Sequence, residues 1–169
     1  DVNEVAGPLM QELADFARAE VALGARDRLS MVYLVHSRGK DLHNRQLRIG
    51  SRLPLAVTAM GRAWLAGCEP ADREAVLHTL SQQRPKDWPR LSLEIDEALQ
   101  QHRRDGVTLV VGRWRPGINS IARPLRLGGG RPLLALSCGG PDFVLPPDYL
   151  MHAIRPRLIE LAARIETAM

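Results

Sequence analysis

The chain has 169 residues, of which 45 % are hydrophobic and 25 % charged. That composition excludes a disordered or fibrous protein and supplies one domain with a core of its own. No apolar run reaches the ~20 residues of a membrane span, and no basic-then-apolar leader opens the sequence. Basic residues exceed acidic ones by 23 to 19, a formal net charge of +4, which permits a basic face without establishing a nucleic-acid surface.

Pro8 precedes Leu9, Leu13, Phe16 and Ala17 at helical spacing, predicting a helix over 8–19 with the proline in its first turn. Apolar runs at 21–25 and 30–35 flank Arg26-Asp27-Arg28, a hairpin pattern, and a short run at 46–49 closed by Gly50 reads as a third strand. After Pro54, the small and apolar Ala59, Ala63, Trp64 and Ala66 favour a closely packed helix that stops at Gly67. A helix over 70–83 turns Val76, Leu77 and Leu80 inward, and Pro85 and Pro89 make 84–90 a loop. Leu91, Ile95, Ala98, Leu99 and His102 set a helix over 90–104, ended by Gly106.

Three strands are expected next, at 107–114, 118–125 and 132–137, joined by Arg115-Pro116-Gly117 and by a glycine-rich break at 127–131. Met151, Ile154, Leu158, Leu161 and Ile165 mark a closing helix over 147–168, in which Pro156 predicts a kink or a late start. Hairpin-linked strands between helices predict an α+β fold, an antiparallel sheet flanked by helices.

Chemistry-bearing residues are sparse. Cys68 and Cys138 stand far apart with no CxxC, and the histidines at 36, 43, 78, 102 and 152 form no HxH or HExxH. A disulfide framework, a zinc cluster and a metalloenzyme are therefore disfavoured, and each cysteine reads as a small hydrophobe. Gly128–Gly130 lacks the Lys-Ser/Thr pair and the following helix of a phosphate loop. Seven arginines between 103 and 131 accompany a single acid, Asp105, and only 4 % of residues are aromatic. An ion-pair or solvated face is favoured there over a phosphate-tracking one.

The sharpest local feature is the start of the helix after Pro54. Thr58 is a good N-cap, and the backbone N–H groups of Ala59 and Met60 would be free to meet an anion. The same small residues also suit a helix start that merely packs closely, and both readings stand at this point.

The same segment resembles the one that opens the core helix in the effector-binding domain of IclR-type transcriptional regulators. Gly50, Ser51, Leu53, Pro54, Leu55, Thr58, Ala59, Gly61, Ala63, Leu65 and Ala66 fall on the family pattern, with Arg62 in place of its usual lysine. Arg103-Arg104-Asp105-Gly106, Gly117 to Leu125 and Gly140-Pro141 follow in the family's order. The resemblance implies a GAF-like fold, a central antiparallel sheet with helices on both sides, acting as an effector-binding domain over 1–169. It also implies a winged helix-turn-helix domain, absent from this chain, through which alone the full-length bacterial, cytoplasmic regulator meets operator DNA. Homodimers or homotetramers, no membrane partner, no cofactor and no catalysis are implied as well.

In such domains a small-molecule pocket lies between the sheet and the start of the core helix. The residues expected there are Leu53, Ala59, Met60, Val110, Trp114, Ile118, Ser120, Ser137 and Gly139. Val110 stands where some relatives carry an acid, and Gly139 where a serine is frequent. The expected effector is therefore a small carboxylic acid with an apolar or aromatic body, in a pocket whose polar anchors are Ser120, Ser137 and backbone amides. Loop 38–48 or loop 84–90 is expected to move over it or to contact another protomer. The competing readings are a GAF-like enzyme with a cysteine nucleophile, at Cys68 or Cys138, and direct nucleic-acid binding by the arginine-rich strands.

Overall fold

Strand β1 (Glu20–Asp27) carries Val21, Ala22 and Leu23 in succession, all fully buried, so both of its faces are covered. The computed structural model describes residues 1–40 and 47–169. The other strands are β2 (Ser30–Arg38), β3 (Arg52–Pro54), β4 (Thr108–Val111), β5 (Ile118–Leu125) and β6 (Leu134–Pro141). They form one six-stranded antiparallel sheet in the order β3-β2-β1-β6-β5-β4, with β1 and β6 joining an N-terminal and a C-terminal meander.

Helices α1 (Val2–Ala17) and α6 (Arg155–Ala168) cover one face, where Met10, Leu13, Leu158 and Leu161 pack on Val21, Leu23, Leu136 and Cys138. Helices α2 (Ala59–Gly67), α3 (Pro70–Gln83) and α4 (Trp88–Asp105) cover the other. There the sheet presents small residues, Ala22, Gly24, Ala122 and Ala135, so α2 settles close to it. A Cβ at Gly24 would come within 2.5 Å of the Met60 sulfur. The α+β, GAF-like layering expected from the sequence is the one observed.

Several boundaries differ. Helix α1 begins at Val2 under an Asp1 cap, whose carboxylate accepts from the Asn3 N–H at 3.0 Å, so Pro8 lies inside the helix. The third strand is not 46–49. Gln46 lies outside the described residues, 47–50 form no strand, and Gly50 at φ +88° delays the ladder to Arg52. Helix α4 starts two residues early because Pro89 sits in its first turn, where its missing N–H is harmless.

Strand β4 stops at Val111 since Gly112, at φ +64°, turns the backbone out of the sheet and frees Trp114 from it. Strand β6 runs on to Pro141 rather than ending at 137, because Gly139 and Gly140 keep pairing with Ser120 and Asn119. The closing helix is divided: α5 (Pro147–Tyr149), a π-helical turn over Leu150–Ile154, then α6 with Pro156 in its first turn.

One irregularity shapes the site. Leu23 pairs with Val35 and Gly24 with Tyr33, so one step on β1 matches two on β2 and Leu34 is the extra residue of a bulge. Beyond it the phase of β2 reverses. Tyr33 and His36 consequently share the face that carries α2, their rings stacked with centroids 5.6 Å apart.

Gly61 decides how closely α2 approaches. A Cβ there would run into the Leu55 carbonyl, which has no room to give. Helix propensity alone favours Gly61→Ala by ~1 kcal/mol. The clash is expected to win, and urea denaturation should show a net loss of about 1–3 kcal/mol.

Candidate functional site

Register builds the floor of a cavity. Across five strands, Arg38, Glu20, Gly139, Ser120 and Val110 form one row, and His36, Ala22, Ser137, Ala122 and Thr108 the next. Alternation points both rows at α2. Where the floor residues are small, space remains between sheet and helix, a cavity of about 110 Å³. An apolar cavity of about 150 Å³ admits a benzene ring, so the scale is that of a small organic molecule rather than a nucleotide or a peptide.

The roof is the first turn of α2. Thr58, extended at φ −106° and ψ 152°, accepts from the Gly61 N–H at 3.1 Å and donates its hydroxyl to the Pro54 carbonyl at 2.8 Å. On the far side the buried Thr108 hydroxyl donates to the Ala59 carbonyl at 2.8 Å, fastening the turn to β4. The cap satisfies one orphan amide. The N–H groups of Ala59 and Met60 find no acceptor among the described residues, and both residues line the cavity. Gly61 is thus small for packing, and two amides of the same turn are left without an acceptor among the described residues.

Every residue expected at the pocket lies around this one space: Leu53 from β3, Ala59 and Met60 from α2, Val110 from β4, Ile118 and Ser120 from β5, Ser137 and Gly139 from β6, and Trp114 from the β4–β5 turn. Sequence reasoning misses Glu20, Tyr33 and Arg115 and identifies Thr58 only as a cap, whereas Gly140 and Pro141, beside Ser137 and Cys138 at a strand end, are legible as a pocket rim. Glu20 was legible, being two residues before the inward Ala22; Tyr33 was hidden by the bulge at Leu34. Burial pushes the Tyr33 phenol above its ordinary value, Glu20 adding to the rise and Arg115 opposing it. It is a neutral donor at physiological pH.

Leu47, from the expected mobile loop 38–48, reaches the wall, while residues 41–46 lie outside the described ones. Loop 84–90 does not reach it: Trp88 opens α4 and packs in the core around α2.

The Trp114 turn is held from outside. The Glu94 carboxylate on α4 accepts from Arg113 Nε at 2.8 Å and from the buried Arg62 Nη2 of α2 at 3.0 Å. Arg62 Nε donates to the Ala56 carbonyl at 2.8 Å. One acid therefore ties the roof, α4 and the Trp114 turn together.

Comparison with known proteins settles the family. A family model described as "Bacterial transcriptional regulator IclR C-terminal" matches residues 1–167. The chain belongs to the IclR C-terminal family. A crystal structure of an IclR family transcriptional regulator from Brucella abortus is 42% identical with a TM-score of 0.95, over 99% of this chain and 63% of that one. The HTH-type transcriptional regulator TsaQ1/TsaQ2 of Comamonas testosteroni is 26% identical over 99% of this chain and 61% of its own length. The chain thus spans less than two thirds of these relatives. A double mutant of the PobR inducer-binding domain from Acinetobacter, solved with 3-hydroxybenzoic acid, shares the fold at 19% identity and a TM-score of 0.78, over 99% of this chain and 98% of that one.

In this IclR effector-binding domain the planar fork of Arg62 makes the two bonds, to Ala56 and Glu94, that fix the roof. The cysteines offer little to an enzyme. Burial raises the Cys68 thiol, and it pushes the fully buried Cys138 up to about 12, which holds both protonated.

Four of the seven arginines of the basic stretch are held within the fold. Arg123 donates to the Gly106 carbonyl, Arg126 to Gly67, Arg131 to Leu127, and Arg113 to Glu94. Among the described residues no group of three His, Cys, Asp or Glu is placed to hold a metal ion, and no helix is long and apolar enough to cross a membrane.

Burial alone would raise the Glu94 carboxyl, but its bonds from Arg113 and Arg62 outweigh that and hold it below the usual range. A depressed folded value means that the stabilisation is complete above the unfolded value and is lost as pH falls through the folded one. Glu94→Gln is expected to lose about 2 kcal/mol near neutrality. The gap to the unaltered chain should narrow as the pH is lowered from about 5 towards about 3, followed by urea midpoints across that range.

Proposed function

We propose that this domain senses a small carboxylic acid with an apolar or aromatic body, its carboxylate at the Ala59 and Met60 amides and its body against Leu53, Val110, Trp114 and Ile118. The observation that carries this reading is the pair of amides at a helix start, on residues that line the cavity and lacking an acceptor among the described residues. A helix N-terminus favours an anion by dipole and by donors together. Ser120 and Ser137 add hydroxyls on the floor. The aromatic acid bound by the PobR domain of the same fold is of this chemical class.

The wider assignment is part of the same proposal. The full-length protein carries a winged helix-turn-helix domain ahead of this one, binds operator DNA through it in the cytoplasm, and works as a homodimer or homotetramer. The acid shifts the domain by binding one arrangement better than another. No cofactor or reaction is assigned to it.

Two outcomes are expected. In a thermal-shift screen, small aromatic and aliphatic carboxylates should raise Tm progressively with concentration, since ligand binds the folded form alone. Binding only of neutral polyhydroxylated compounds would sink the proposal. Ala59→Pro removes one amide at a position where helices accept proline, after a Thr58 already extended as proline requires. Calorimetry should record roughly tenfold or greater loss of carboxylate affinity, with thermal stability changed little.

A further inference from the structure

At the other end of the floor row, Glu20 lines the cavity, and none of the hydrogen bonds between described residues ends on its carboxylate. The donors nearest to it fall just short. His36 Nε2 is 3.5 Å and Arg38 Nε 3.9 Å from Glu20 Oε1, and neither nitrogen has a hydrogen-bond partner among the described residues. The His36 side chain is only 5% exposed. Neither His36 nor Arg38 lines the cavity, so both stand behind the Glu20 carboxylate rather than at the ligand space. Beside these stands Tyr33, stacked on His36 and lining the same space.

Glu20 lies four residues along β1 from Gly24, on which Met60 packs, on the order of 13 Å between Cα atoms at ~3.3 Å per residue. The cavity thus has two polar ends, amide donors at the α2 start and a carboxylate acceptor with a phenol at the β1 start. Arg38 beside Glu20 and Arg115 at the rim balance the negative charge locally, which disfavours a ligand cation. A hydroxyl matches, because it donates to Glu20 while accepting from Tyr33.

We propose that Glu20, backed by His36 and Tyr33, reads a hydroxyl on the effector, so that the ligand is a hydroxylated acid spanning the two ends of the cavity. This rests on the acid reading for one end only; the Glu20 end stands on its own residues.

The test is calorimetry on this chain and on Glu20→Met and Tyr33→Phe, each first shown to unfold cooperatively. The probes are benzoate, the three monohydroxybenzoates, phenol and benzene. At least one hydroxybenzoate is expected to bind the unaltered chain roughly ten- to hundredfold tighter than benzoate, the increment of a hydrogen bond to a charged group. In Glu20→Met that advantage should fall to about twofold or less, with benzoate affinity retained. Tyr33→Phe should reduce it in part.

Equal affinity for benzoate and every hydroxybenzoate overturns the proposal on the unaltered chain alone, whatever the variants do. An advantage that survives Glu20→Met overturns it too. If phenol binds in a Glu20-dependent way and no acid does, the carboxylate reading fails and the hydroxyl reading stands. If no probe binds, both fail.

Discussion

The seating of one helix start on the sheet governs the rest of this domain. Thr58 closes the turn on both sides, donating to Pro54 and accepting from Gly61, and Thr108 pins the Ala59 carbonyl from β4. Gly61 permits the close approach to Leu55, and Gly24 leaves room for Met60. Release any of these and the roof of the cavity rises. The Ala59 and Met60 amides keep a fixed direction because the polar groups around them are already satisfied, a pre-organisation that lowers the cost of ordering on binding.

The floor is made by register instead. Small residues fall in line across β1, β6, β5 and β4, so the space exists because side chains are lacking there, and the polar groups stand at its ends. Glu94 then connects roof and wall, since Arg62 belongs to the helix and Arg113 to the turn that carries Trp114. One carboxylate on α4 thereby holds α2 and the Trp114 turn in a fixed relation.

Much of this was legible in the residues. The helix after Pro54, its Thr58 cap and the strand alternation placing Ser120 and Ser137 inward all follow from local chemistry and periodicity. So do the layered order and the breaks at Gly106 and Gly117. What escaped depends on pairing between distant strands. The Leu34 bulge cannot be read from β2 alone, because it exists only relative to β1, and it alone brings Tyr33 and His36 to one face. The partnership of Arg62 with Glu94 and Arg113 joins three segments far apart in sequence. Gly112 could have shown that β4 ends early, and Glu20 that β1 begins one residue sooner.

The central claim is that the α2 start is the anion-binding end of the cavity. Amide chemical shifts report it directly, by titrating benzoate into isotope-labelled domain and following each backbone N–H. The Ala59 and Met60 amides are expected to move furthest, with Ser120 and Ser137 following and Cys68, at the opposite end of α2, nearly still. Saturable shifts centred on Trp64 and Cys68, with Ala59 and Met60 unmoved, would contradict it.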